Sequence, residues 1–128
     1  MAQIQRFMVP GQHEPVSHYC HAVRAGEEVW ISGTVGIAAD GSIPDDTVEQ
    51  FKLAMANFDA VLRAAGGEPR HVVKVTLYLT DIADRSRINP IRQAYFGPHR
   101  PASTLVEVSK LVLPALKVEI EAVAVVGD

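Results

Sequence analysis

Apolar residues recur along this chain with two distinct periods. Over residues 71–80, Val73, Val75, Leu77 and Leu79 alternate with Lys74, Thr76 and Tyr78, the two-residue period of a strand with one apolar face. Residues 116–126 predict another strand, with Val118, Ile120, Ala122 and Ala124 on one face and Glu119, Glu121, Val123 and Val125 on the other. Val48, Phe51, Met55, Phe58, Leu62 and Ala65 recur every three or four positions and predict an amphipathic helix. Thr47 and Gln50 have the spacing of a capping box at its start, and Gly66-Gly67 ends it. A second helix is expected over residues 87–96, where Pro90 suits a first turn and Asn89 an N-cap. Residues 18–24 and 28–32 read as strands around Ala25-Gly26-Glu27, and Asp40-Gly41 marks a reversal before Ser42-Ile43, so a β-meander is expected at the start. Residues 103–108 complete the set as a further strand, followed by a turn around Pro114.

These elements predict an α+β fold, a mixed sheet of about six strands with two helices on one face. The last strand carries aliphatic residues on both of its faces. Two helices cover only one side of such a sheet, so a second copy of the chain is the simplest cover for the other, and a homo-oligomer is expected.

Composition narrows the class. The 128 residues, 48% hydrophobic and free of repeats or long linkers, suit one domain over residues 1–128. A net charge of −3 lacks the basic stripe that nucleic acid requires. The densest cationic group, Arg85, Arg87 and Arg92, reads as a solvated helix face. A single cysteine, Cys20, excludes an internal disulfide, and the first residues read as no signal peptide, so a reducing, cytoplasmic setting is expected. No apolar run is long enough to cross a bilayer, and no membrane partner is expected.

Several phrases, in order and at their spacing, resemble the Rid/YjgF family of reactive intermediate deaminases over nearly the whole chain. They are Trp30-Ile31-Ser32-Gly33, Ala64-Ala65-Gly66-Gly67, Val72-Val73-Lys74-Val75-Thr76, Arg100-Pro101-Ala102 before Val106-Glu107-Val108, and Val118-Glu119-Ile120-Glu121-Ala122-Val123-Ala124. The resemblance implies a chorismate-mutase-like fold, a homotrimer with inward-facing sheets, and small-molecule clefts between subunits. It also implies hydrolysis of enamines and imines to a carbonyl compound and ammonia, without a cofactor.

Such a reaction needs an aimed water, a group that moves its proton, and a hold on the substrate. The resemblance assigns the first two to Glu119, a position that otherwise reads as a solvated or ion-paired strand glutamate. It places Tyr19, Ser32, Gly33, Asn89, Ser103 and Leu105 around the ligand. Tyr19 reads equally as a half-buried core residue, Gly33 as a strand-end turn and Asn89 as a helix cap. Ser103 is the departure, because deaminating members carry a carboxylate-binding arginine directly after Pro-Ala. A hydroxyl supplies no charge, so the substrate is expected to differ from standard 2-imino acids. Arg100 is aimed by strand alternation at the opposite face from Ser103. His18, Cys20 and His21 invite a metal or thiol reading, but alternation splits them between two faces and no second cysteine completes a common zinc set. Three functions are thus weighed: an imine or enamine hydrolase, a non-catalytic small-molecule binder on the same scaffold, and an endoribonuclease, which the residues do not support.

Overall fold

The computed structural model describes residues 3–127. Within them the chain forms β1 (Ile4–Phe7), β2 (Ala22–Ala25), β3 (Glu28–Val35), α1 (Thr47–Ala64), β4 (Val72–Leu79), α2 (Arg85–Phe96), β5 (Ala102–Glu107) and β6 (Val118–Val125). The strands make one sheet in the order β1-β2-β3-β6-β4-β5. Neighbours are antiparallel except β4 and β5, which are parallel. β3 and β4 are both antiparallel to β6, so they run in the same direction. A chain passing from one to the other needs a crossover, which α1 supplies, as α2 does between β4 and β5. The fold is α+β.

Alternation decides which side of the sheet the helices cover. Val29 and Ile31 of β3, Val75, Leu77 and Leu79 of β4, and Val118, Ile120, Ala122 and Ala124 of β6 are all buried. They meet Phe51, Met55, Phe58 and Leu62, a stripe at helical spacing on α1, together with Ile88 and Phe96 of α2. Among the described residues no helix covers the other face. There Trp30, Val106 and Val125 stay 42%, 38% and 40% exposed, beside Lys74, Thr76, Tyr78, Glu119 and Glu121.

The expected elements shift in informative ways. α1 is capped by Asp46, whose carboxylate accepts from the Val48 and Glu49 amides at 3.1 and 3.3 Å, and not by Thr47. Gln50, expected in a capping box, is instead fully buried. Its Nε2 donates to the Pro44 and Ala115 carbonyls, both at 2.8 Å, and its Oε1 accepts from the Lys117 amide at 2.8 Å. One side chain thereby ties the entry to α1 to the connection before β6. α1 ends as expected, with Gly66 at φ +96° and the Gly67 amide donating to the Leu62 carbonyl. Ser42-Ile43 forms no strand, and the sixth strand is the N-terminal β1, whose exposed Ile4-Gln5-Arg6 shows no alternation of burial. α2 begins at Arg85 with Asp84 before it, so Asn89 is not a cap and Pro90 lies inside the helix. The missing amide frees the Ser86 carbonyl, and both residues are exposed, so water can satisfy it.

Replacing Gln50 by Leu takes the side-chain partner from three part-buried main-chain groups. We expect Gln50→Leu to lower the unfolding free energy by about 3 kcal/mol or more, read from urea denaturation. An unchanged midpoint would show that these connections are held by something other than the Gln50 amide.

Candidate functional site

β2 is shorter than β3. Their pairing stops at Ala22 and Ile31, with one more bond from the Ser32 amide to the His21 carbonyl at 3.0 Å. Just beyond, the register between β3 and β6 slips between Ile31 and Thr34, a bulge that contains Ser32 and Gly33. Residues 12–19 fold over this gap and enclose a pocket of about 360 Å³. Tyr19, Ser32, Gly33 and Glu119 all line it, together with Asn57 from α1. A Cβ on Gly33 would overlap the Glu119 carboxylate. The missing side chain in the bulge is therefore the opening through which Glu119 reaches the pocket.

Glu119 is half-buried, and no hydrogen bond or ion pair holds its carboxylate among the described residues. Burial, and secondarily the charge of Glu121, push its carboxyl above the ordinary glutamate range. Its neighbour is held differently: the Tyr78 hydroxyl donates to Glu121. That bond, with burial and the two glutamate charges, pushes the Tyr78 phenol up to about 12, so it remains a donor.

The pocket wall is fastened from behind. The Val9 amide donates to Nδ1 of His21 at 2.9 Å, which leaves Nε2–H to donate to the His13 carbonyl at 3.1 Å. Asn57 Nδ2 holds the Val35 and Ile37 carbonyls, each at 3.0 Å. Neither role is visible in the sequence, because both depend on main-chain atoms that only the fold brings near. Ser32 Oγ donates to the Cys20 carbonyl at 2.7 Å, and Cys20 Sγ contacts the Ala22 carbonyl at 3.3 Å. No cluster of three or more His, Cys, Asp or Glu suited to a metal occurs among the described residues. The Tyr19 hydroxyl accepts from the Val16 amide at 3.3 Å, and the residue is 43% exposed.

Asn89, Ser103 and Leu105 do not join this group within one chain. Ser103 and Leu105 pair with Val75 and Leu77 and so lie on the helix side of β5, whereas Glu119 lies on the open side of β6 with β4 between. Ser103 instead meets a residue of α2. Arg92, expected on a solvated helix face, is half-buried and donates from Nη2 to Ser103 Oγ at 2.8 Å. Of its supposed companions, Arg87 pairs with Asp46 and Asp84 at 2.8 and 2.9 Å, and Arg85 is exposed.

Fold and sequence comparisons agree on the class. A profile of the Endoribonuclease L-PSP family matches residues 11–126. The chain is 35% identical to a RutC family protein of Pyrococcus abyssi over 87% of this chain and 88% of that one. It is 34% identical to the 2-iminobutanoate/2-iminopropanoate deaminase of Mus musculus over 99% and 96% of the two chains. Among solved structures it resembles the YjgF gene product of E. coli, with a TM-score of 0.87, 29% identity and coverage of 94% and 98%. A Rid family protein of Yersinia pestis superposes with a TM-score of 0.90, 30% identity and coverage of 96% and 99%. The chain belongs to the Rid/YjgF family, also described as endoribonuclease L-PSP. No helix among the described residues is long and apolar enough to cross a membrane.

The raised Glu119 carboxyl has a consequence for stability. Ionising it opposes folding, so the penalty is absent below the unfolded carboxyl pKa of about 4.3 and complete above the higher folded value. Glu119→Gln removes that penalty, and we expect it to melt above wild type at pH 7, with the difference closing as pH falls below about 4. A difference that ignores pH, by scanning calorimetry, would assign the change to packing instead of ionisation.

Proposed function

We propose that this chain is a cytoplasmic homotrimer that hydrolyses small reactive imines or enamines to a carbonyl compound and ammonia. The observation that carries this reading is the poorly hydrated Glu119 carboxylate, aimed through the Gly33 gap into a pocket of about 360 Å³. A carboxylate pushed up by burial is a stronger base than glutamate in water, and it has no competing partner among the described residues. Water attacks the C=N carbon while Glu119 takes its proton. The same carboxyl returns that proton to nitrogen to give a carbinolamine, then carries the hydroxyl proton to the amine, so that the C–N bond breaks and ammonia leaves as C=O forms. The deaminase names borne by relatives of Mus musculus and Capra hircus, 34% and 37% identical, support the same chemistry.

Two features favour a cleft between copies. Trp30, Val106 and Val125 lie uncovered on the open sheet face. The remaining candidate ligand residues, Ser103 and Leu105 on the edge strand β5 and Asn89 on α2, lie away from Glu119 in one chain, and a neighbouring copy can bring them to it. With a serine at position 103, the substrate is not gripped from β5 as a standard 2-imino acid is expected to be. That serine also favours the second reading, a trimer that binds a metabolite without turning it over. An endoribonuclease finds no support, because the chain is acidic and Arg87 is paired with carboxylates.

The test is ammonia release from imines formed in place by an amino-acid oxidase. Wild type should accelerate it, and Glu119→Gln should lose about a hundredfold or more of the rate. Wild type without acceleration, but with saturable ligand binding, leaves the binder. Gly33→Ala, which forces the carboxylate aside, should lose activity comparably. Sedimentation should give three chains per particle, and a monomer at micromolar concentration would remove the shared cleft.

A further inference from the structure

Arginine side chains in this chain are satisfied in recognisable ways, and Arg92 is the exception. Arg63 pairs with Asp59, Arg87 with Asp46 and Asp84, and Arg24 donates to the Gly26 and Ala65 carbonyls. Arg6, Arg85 and Arg100 are exposed. Arg92 is half-buried, yet among the described residues its guanidinium meets neither a carboxylate nor a carbonyl, only the Ser103 hydroxyl at 2.8 Å. Burial without an acidic neighbour pushes its pKa below the ordinary arginine value. It nevertheless keeps its charge, since an arginine does not lose its proton in proteins.

A guanidinium has five N–H donors in a planar fork, and Arg92 spends Nη2 on Ser103, which fixes the plane of the fork. The unspent donors suit the two parallel bonds of a carboxylate. Asn89 lies three residues earlier on α2 and so on the same side of the helix, exposed and with no side-chain hydrogen bond among the described residues. Its amide is a free donor beside the fork. Leu105 is two positions beyond Ser103 on the same face of β5 and packs against the core, an apolar floor next to the charge. Glu107, the next residue on that face, is engaged by the Ile82 amide at 2.9 Å.

We infer that Arg92, steadied by Ser103 and flanked by Asn89 and Leu105, is an anion site that holds the carboxylate of this protein's small-molecule ligand from α2. The existence of the site stands on this geometry, whereas its naming of the substrate as a carboxylate-bearing imine or enamine rests on the hydrolase reading. Arg92 is thus a specificity-determining residue, and Ser103 a positioning residue that acts through it.

The experiment separates the two ideas by measuring binding apart from turnover. The oligomeric protein is titrated with 2-oxobutanoate and with neutral butanone, following the Arg92 Nε–H resonance by NMR. Wild type should prefer the oxo acid, and its binding should move that resonance. Arg92→Met should lose about ten- to a hundredfold in affinity for the acid, with Arg92→Lys between the two. Ser103→Ala should lose about two- to tenfold. Subunit number and melting temperature are recorded for each variant. Unchanged acid affinity in Arg92→Met would overturn the inference. So would an Arg92→Met protein that dissociates or melts early while Arg92→Lys, fully folded, shows no change in acid-over-ketone preference. Arg92-dependent acid binding without imine hydrolysis by wild type would leave the anion site standing and remove the hydrolase. Hydrolysis that survives with the same acid preference in Arg92→Met would do the reverse.

Discussion

β6 lies between β3 and β4, antiparallel to both, and its strict alternation divides the molecule. Val118, Ile120, Ala122 and Ala124 are buried beneath the helices, and at about 25 cal/mol per Å² of apolar surface such burial supplies the main favourable term in folding. The intervening positions must then point to the opposite face. A one-residue slip would bury Glu119 and Glu121 under the helices, which their charge forbids. The register that makes the core is therefore the register that delivers both glutamates to the open face.

Glu119 still needs a route off that face and into the pocket. The bulge at Ser32-Gly33 breaks the β3 ladder where β2 has already ended, and the glycine leaves room for the carboxylate. A side chain there would have packed the sheet more completely and closed the passage. The unpaired, half-buried carboxylate is destabilising in the folded chain and useful as a base, a trade common at functional sites. Tyr78 gives Glu121 the partner that Glu119 lacks, so two glutamates two residues apart differ in environment.

Local patterning carried the strands and helices whose burial is one-sided. The alternation of β4 and β6 and the three-and-four spacing of α1 were legible because each buries a single face. β1 was not, since an edge strand with Ile4, Gln5 and Arg6 all exposed has no period to detect. Asn89 and Pro90 read as a helix start, but the turn at Ile82–Asp84 and Asp84 begin α2 earlier. Gln50 was read from local spacing, while its partners Ala115 and Lys117 lie far along the chain.

The candidate site divides along the same line. Glu119 and Gly33 could be singled out from their phrases, Tyr19 from the family resemblance, and the open face of the sheet from the aliphatics on both sides of β6. Family membership, the α+β class and the acidic balance that disfavours nucleic acid were likewise set by the order and chemistry of residues. Tertiary structure alone decided that Glu119 passes through a gap at Gly33, that His21 and Asn57 brace the pocket, and that Arg92 leaves the solvated face for Ser103. Those outcomes depend on contacts between elements, and a periodicity specifies which face a residue occupies without specifying what meets it there.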